Sequence, residues 1–374
     1  MNMTVSMVRR SARTWYGVAL FAMVGNAACA DLSGDPGEPP QVDEQRAALT
    51  AFSAVALQNG WVNAPFATRN AGAFFDPGSG ITHFSGAIAS GASGVIFTLP
   101  PLFWPSTDVY IAVDLCNAAN GRLRIQPNGV VSVQAEGAFS AAQCFTSLEG
   151  ATYASTTAGF SGLTLVNGWT DTPPVTSLAV FGTLGGAVRF KGAIASGTSP
   201  ISFTLPSGFR PATNVYIPVD LCNATNGRLF IQPSGVVTVQ AEGGTFSNAQ
   251  CFTSLDGAWF VPDASGTTAL GLVNGWTNAP FGTSAAAVKN VGGIVHFKGA
   301  IAGGTSAVAF TLPAGLAPTT NVFVPVDLCG ATKGRLFIQP SGVVTVQAEG
   351  GTFSNAQCFT SLDGASYSIA GFVP

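Results

Sequence analysis

Short alternating runs of apolar and polar residues, cut by Gly, Pro and Ser, dominate this chain. Val188-Arg189-Phe190-Lys191 alternates, continues through Gly192-Ala193-Ile194, and stops at Ser196-Gly197-Thr198-Ser199-Pro200. Ile201-Ser202-Phe203-Thr204-Leu205 alternates again and ends at Pro206. Asn214-Val215-Tyr216-Ile217-Pro218-Val219 is an aromatic and β-branched run. Arg228-Leu229-Phe230-Ile231 reaches a turn at Pro233-Ser234-Gly235, and Val236-Val237-Thr238-Val239-Gln240 returns as the second arm of a hairpin. Period two predicts half-buried strands. After the first 30 residues, nothing holds a helical period over about 12 residues. Short strands at intervals of about 8–12 residues predict an all-β sandwich or jelly roll.

The same pattern occurs three times. Asn-Gly-Trp recurs at Asn59-Gly60-Trp61, Asn167-Gly168-Trp169 and Asn274-Gly275-Trp276, at spacings of 108 and 107 residues. Asp-Leu-Cys recurs at Asp114, Asp220 and Asp327, and Gln-Cys-Phe-Thr-Ser-Leu at Gln143, Gln250 and Gln357. Residues 227–258 and 334–365 are identical. A unit of this length can bury its own core. The expected architecture is three tandem jelly-roll-like β-sandwich modules over 51–154, 155–262 and 263–374. The connections 154–162 and 262–271 reach about 30 Å when extended. That is enough for the chain to pass between neighbouring sandwiches about 25 Å across.

The N-terminal residues 1–30 read as a secretory signal. Arg9, Arg10 and Arg13 precede an apolar stretch from Trp15 to Val24. At about ten residues it is short for a bilayer, which needs about 20. Ala28-Cys29-Ala30 offers either a cleavage site or, at Cys29, a lipidation site of the lipoprotein type. Residues 31–50, with Pro36, Pro39, Pro40 and an Asp43-Glu44 pair, read as a flexible acidic tether. No later stretch predicts a transmembrane span.

Export changes how the cysteines are read. Cys29 stands alone, and each module holds one pair: Cys116 and Cys144, Cys222 and Cys251, Cys329 and Cys358. Three intramodule disulfides are expected. Two Cys per module without nearby His do not supply four zinc ligands. Only 9% of residues are charged, against about 25% in an ordinary domain, which favours extensive burial between modules. Removing the three signal arginines leaves 12 basic against 18 acidic residues, a net charge of −6. That balance argues against a nucleic-acid binder.

Little in the chain promises catalysis, and no cofactor is expected. His83 and His296 hold equivalent positions, but Arg189 replaces them in the middle copy, so an outward-facing strand residue is the expectation there. Three carboxylate sets recur: Asp114/Asp220/Asp327, Glu136/Glu242/Glu349 and Glu149/Asp256/Asp363. The first set can pair with the repeated Arg122, Arg228 and Arg335, and the last fits a turn. Glycoside hydrolysis would need two carboxylates about 5–10 Å apart. Trp61, Trp169 and Trp276 can plug cores or stack on sugars, with a core plug expected.

The repeated motifs resemble the β-sandwich head module at the tip of phage tail fibres and related receptor-binding proteins. The resemblance runs from Asn-Gly-Trp through Gly185-Gly186, Leu205-Pro206-Ser207-Gly208-Phe209-Arg210-Pro211, Gly227-Arg228-Leu229 and Leu255-Asp256-Gly257 in the middle copy. The third copy keeps Leu312-Pro313-Ala314-Gly315 and Pro318, and the first departs with Leu99-Pro100-Pro101-Leu102-Phe103-Trp104-Pro105. It covers about residues 55–374. It implies a threefold bundle of heads, here an intrachain pseudo-threefold bundle of the three modules, and a receptor-binding role. Three tandem heads, no shaft and paired cysteines depart from the fibre pattern and imply an exported bacterial protein.

The expected function is therefore a non-enzymatic binding or adhesion protein, secreted or held on a bacterial surface, recognising carbohydrate or another envelope component. Binding is expected in the loops that differ most between copies, 62–80, 170–185 and 277–292. Their aromatics Phe66, Phe74, Phe75, Phe181 and Phe281 are the candidate binding residues. A structural envelope spacer and a polysaccharide hydrolase are the alternatives.

Overall fold

The computed structural model describes residues 52–171 and 175–369. Residues 1–51, which include the segment read as a signal, Cys29 and the segment read as a tether, lie outside the described residues. The chain is all-β, and the described residues form nine antiparallel sheets, three from each copy of the repeat. In the middle copy one four-stranded sheet runs in the order Ser161–Gly162, Val180–Leu184, Ala187–Lys191, Trp259–Phe260. A second runs Ile201–Thr204, Val236–Ala241, Asn226–Ile231, Val215–Asp220. The predicted hairpin across Pro233-Ser234-Gly235 pairs Phe230 with Thr238 and Ile231 with Val237. Phe181, Val188 and Phe190 from the first sheet meet Ile217, Leu229, Ile231 and Val239 from the second in one buried cluster. That is the sandwich core. Equivalent clusters draw on residues 61–153 and 270–367.

Two glycines fix the local geometry. At Gly192, φ 93° bends the strand from Ala187–Lys191 into Ala193–Ala195, which joins a separate three-stranded sheet. A Cβ there would sit 2.2 Å from the Leu178 carbonyl oxygen. Gly197 lies against Trp169, where a Cβ would come within 2.1 Å of the indole. Trp169 is 4% exposed and donates from Nε1 to the Ser199 carbonyl at 2.8 Å. Trp61 and Trp276 repeat this arrangement over Gly91 and Gly304. All three tryptophans are core plugs, as expected.

The three cysteine pairs are bonded within their copies, with Cα–Cα distances of 5.6 Å. Each bond ties a short helix such as Phe246–Cys251 to the turn that follows Asp-Leu. Among the described residues no helix is long and apolar enough to cross a membrane.

Contacts between copies run in a cycle. The outer strands Val109–Asp114, Val215–Asp220 and Val322–Asp327 lie against one another. Pro218 and Pro325 stand in two of these strands, as suits an edge that adds no further ladder. Edge carbonyls instead accept from serines of other copies. Ser254 Oγ donates to Tyr110 O, Ser361 Oγ to Tyr216 O, and Ser147 Oγ to Phe323 O, each at 2.6 Å. These bonds satisfy groups that burial would otherwise leave unpaired.

Candidate functional site

The repeated arginines bond across copies. Arg122 Nη1 lies 3.0 Å from Asp220, Arg228 Nη1 2.8 Å from Asp327, and Arg335 Nη1 3.0 Å from Asp114. Each aspartate sits at the end of an edge strand and is fully buried. Burial pushes Asp220 and Asp327 upward against the pull of their arginines. Each guanidinium also lies over an aromatic ring, 4.8–4.9 Å from the centroids of Tyr110, Tyr216 and Phe323. Ion pairing thus builds the junction between copies, and it holds the arginine flat on a ring.

From those rings an aromatic ladder rises along each junction. Between the first and third copies, Phe337 stacks on Phe323 at 4.7 Å, Phe323 meets the edge of Phe145 at 5.0 Å, and Phe145 meets Phe66 at 5.6 Å. Between the third and second, Phe230, Tyr216, Phe359 and Phe281 form the same series at 4.6, 4.9 and 5.6 Å. Between the second and first, Phe252 meets Tyr110 at 5.1 Å, and Arg124 replaces the stacked ring while pairing with Asp108 at 2.6 Å.

The ladders end in exposed rings. Phe66 is 61% and Phe281 62% exposed. Both have φ of 54°, a left-handed backbone that costs a bulky residue about 1–3 kcal/mol. A neighbouring copy holds each in place. Asn321 donates through N to Ala67 O and through Nδ2 to Phe66 O, at 3.0 and 2.9 Å. Asn214 does the same for Gly282 and Phe281, at 2.9 and 2.8 Å. In the remaining junction Asp108 N donates to Val175 O at 3.0 Å, and Val175 is the exposed side chain.

Beside the ladder between the third and first copies runs a groove of about 760 Å³. Arg335, Gln347, Thr305 and Phe353 face Asn117 across it. A groove of about 450 Å³ repeats between the second and third copies, with Arg228, Gln240 and Phe246 facing Gly330.

The other sequence candidates divide. Phe74 and Phe75 are half-buried and line a different cavity, of about 710 Å³, together with His83, Arg189 and His296. Phe181 is corrected: it is 4% exposed and packs edge-on to Phe209 at 4.8 Å, because its alternation turns it into the sandwich core and leaves no face for a ligand. His83 and His296 are corrected too. They face neighbouring copies, not solvent, at 6% and 8% exposure. Burial, reinforced by Arg189, lowers the His83 imidazole to about 3 and holds His296 well below its usual range.

The carboxylates of the closing turns are structural. Glu149 Oε1 accepts from Gly86 N and Ser85 Oγ, and Asp256 Oδ1 accepts from Gly192 N. Burial pushes Asp256 up to about 6 and Asp363 up to about 7. A compensation here was hidden in the sequence. Lys191 donates to Ala154 O at 2.9 Å and Lys298 to Val261 O at 2.6 Å, each reaching the preceding copy. The first copy has Ser85 at that position. Arg69 does the work instead, donating to Ser368 O at 2.8 Å and pairing with the longer Glu149 at 3.4 Å.

Glu136, Glu242 and Glu349 gather near Lys333. Burial, then repulsion from Glu349 and Glu136, pushes Glu242 up to about 7. Among the described residues no group of His, Cys, Asp and Glu is placed to hold a metal ion. No protein-family model, curated protein or solved structure matches this chain.

Proposed function

We propose that this chain is a non-enzymatic, exported binding or adhesion protein that recognises carbohydrate or another envelope component at the junctions between its copies. The observation that carries this reading is the pair Phe66 and Phe281. Two large rings stand exposed at equivalent positions, on strained backbone, each clamped by an asparagine from a neighbouring copy. Strain of this kind persists where the surrounding structure over-determines it, and it clusters at ligand clamps. A fixed aromatic face loses little entropy on binding, and its negative quadrupole attracts the polarised C–H groups of a sugar. Farther along each of these two junctions, a groove carries Arg335 with Gln347 or Arg228 with Gln240.

The cyclic contacts support reading the copies as a threefold bundle within one chain, like a trimer of tail-fibre heads with its subunits fused. Three disulfides suit an oxidising, extracytoplasmic compartment. A signal peptide, with or without lipidation at Cys29, completes the proposal. The hydrolase alternative draws no support from the two carboxylate sets that are committed to ion pairs and turns.

A glycan array probed with the mature chain, and again with Phe66→Ala and Phe281→Ala together, tests the reading. The expected result is binding that falls at least about tenfold in the double variant, as for lost aromatic anchors. Glycan binding unchanged by both substitutions would overturn the assignment of the site. No binding to glycans or envelope preparations would favour the structural spacer, a role for which the Val175 junction, lacking an exposed ring, already suffices.

A further inference from the structure

Arg189 is the anomaly among the arginines at the contacts between copies. Arg69, Arg122, Arg228 and Arg335 each have a carboxylate within 4.0 Å. Arg189 is 7% exposed, and among the described residues it has none. Its Nη1 donates to Thr152 Oγ1 at 3.3 Å, its face lies 5.6 Å from the Trp259 ring centroid, and its Nε has no partner. A buried cation left unpaired is costly and rare. His296 lies beside it, its Nδ1 enclosed by protein.

Both side chains line the 710 Å³ cavity, and His83 completes the same register position from the first copy. The rim is built by the hairpin turns of all three copies, at Pro77-Gly78-Ser79, Leu184-Gly185 and Val291-Gly292. Pro77 and Gly78 are exposed, so the cavity opens where the copies differ most in sequence. Phe74, Phe75, Ile81 and Ile294 form the apolar part of the wall. One acidic group is present. Asp76 attracts Arg189 from beyond ion-pair distance, and its oxygens are held by its own loop, Oδ1 accepting from Gly78 N at 2.9 Å and Oδ2 from Ser79 Oγ at 2.5 Å. The volume lies within the range of about 300–1,000 Å³ that small-molecule sites occupy.

We propose that this cavity binds a small organic carboxylate, its carboxylate paired with the Arg189 guanidinium and its apolar body lodged between Phe74, Phe75 and Ile294. The site is independent of the junction reading above. It uses different residues and a different ligand class. The apolar part of the wall favours a ligand with an apolar body over inorganic phosphate, which has none to bury.

Calorimetric titration of the whole mature chain with phenylacetate, phenylacetamide and inorganic phosphate tests it. Phenylacetate is expected to bind saturably, and the amide and phosphate at least about tenfold more weakly, the loss of one charge-assisted pair. Arg189→Lys is expected to weaken phenylacetate by about tenfold, because the planar fork is lost. Leu184→Trp, at the rim and away from the guanidinium, is expected to abolish it by filling the mouth. Phe66→Ala is expected to leave it unchanged. Absence of phenylacetate binding, equal binding of the amide or of phosphate, or unchanged affinity in folded Leu184→Trp would each overturn the proposal.

Discussion

Arg335 Nη1 lies 3.0 Å from Asp114 Oδ2, joining the last copy of the repeat to the first across 221 residues. This pair differs from its two relatives in one respect. Lys333 also reaches Asp114, its Nζ 3.4 Å from Oδ1, where the other copies have Asn120 and Asn226. Among the described residues Asp327 pairs with Arg228 alone, and its Oδ1 has no hydrogen-bond partner.

Removing either arginine should therefore not cost the same. Arg228→Ala leaves Asp327 buried without a counter-charge, and losing one partner of a buried pair costs about 3–5 kcal/mol. Arg335→Ala leaves Asp114 facing Lys333, so its cost is expected to be smaller. Asp327→Asn added to Arg228→Ala should recover part of the loss, because the stranded charge goes with it. Chemical unfolding at pH 7 measures all three. Equal costs for the two arginine variants would refute the compensating role of Lys333.

Much of this architecture was legible in the alternation of single strands. Phe190 and Phe203 follow period two into the core, and Gly235 marks the hairpin turn. The fate of Phe181 was available from the same rule, since it alternates with the core-facing Ala179, but a divergent loop drew it into the binding set. The partners at the junctions were not legible. Asp220 and Arg228 stand eight residues apart on paired strands, which suggests a local pair. Each bonds instead to another copy, and identical letters in three copies cannot say which copy pairs with which. The exchange of Lys191 and Asp256 for Ser85 and Glu149 was a signal of contact between those positions. Arg69, which fills the gap, lies outside the motif and becomes visible only in three dimensions.

The buried histidines predict an acid limb in stability. His83 titrates at about 3 in the folded chain because burial, and then Arg189, disfavour its charge, against about 6.5 when unfolded. The lowered His296 has the same causes in the same order, joined by repulsion from His83 and Lys289. The unfolded chain takes up protons that the native chain refuses. Stability from these two groups is therefore whole above pH 6.5 and declines as the pH falls towards 3. His83→Asn combined with His296→Asn should flatten this limb. Relative to the double variant, the wild-type folding constant should drop by roughly tenfold per pH unit from His83 within that window, and further from His296 below about pH 6.5. Above pH 7 the difference between the two proteins should not change with pH. A constant difference from pH 7 to 4 would show that neither imidazole is buried neutral.

A single copy carries both halves of the junction. The middle copy presents Arg228 towards the third and Asp220 towards the first, together with Ser254 and the Tyr216 carbonyl, which serve the same two neighbours. An interface whose two halves differ closes into a ring when the rotation between subunits divides a full turn, and here the third copy returns to the first. Residues 155–262, exported so that Cys222 and Cys251 oxidise, are therefore expected to assemble as a homotrimer. In it Arg228 of each subunit meets Asp220 of the next, and light scattering gives the mass. Arg228→Ala should shift that species to monomer or to unfolded chain, while Cys222→Ser with Cys251→Ser should lower its stability by about 2–5 kcal/mol. A folded, strictly monomeric fragment at high concentration would mean that the junctions depend on the covalent order of the three copies.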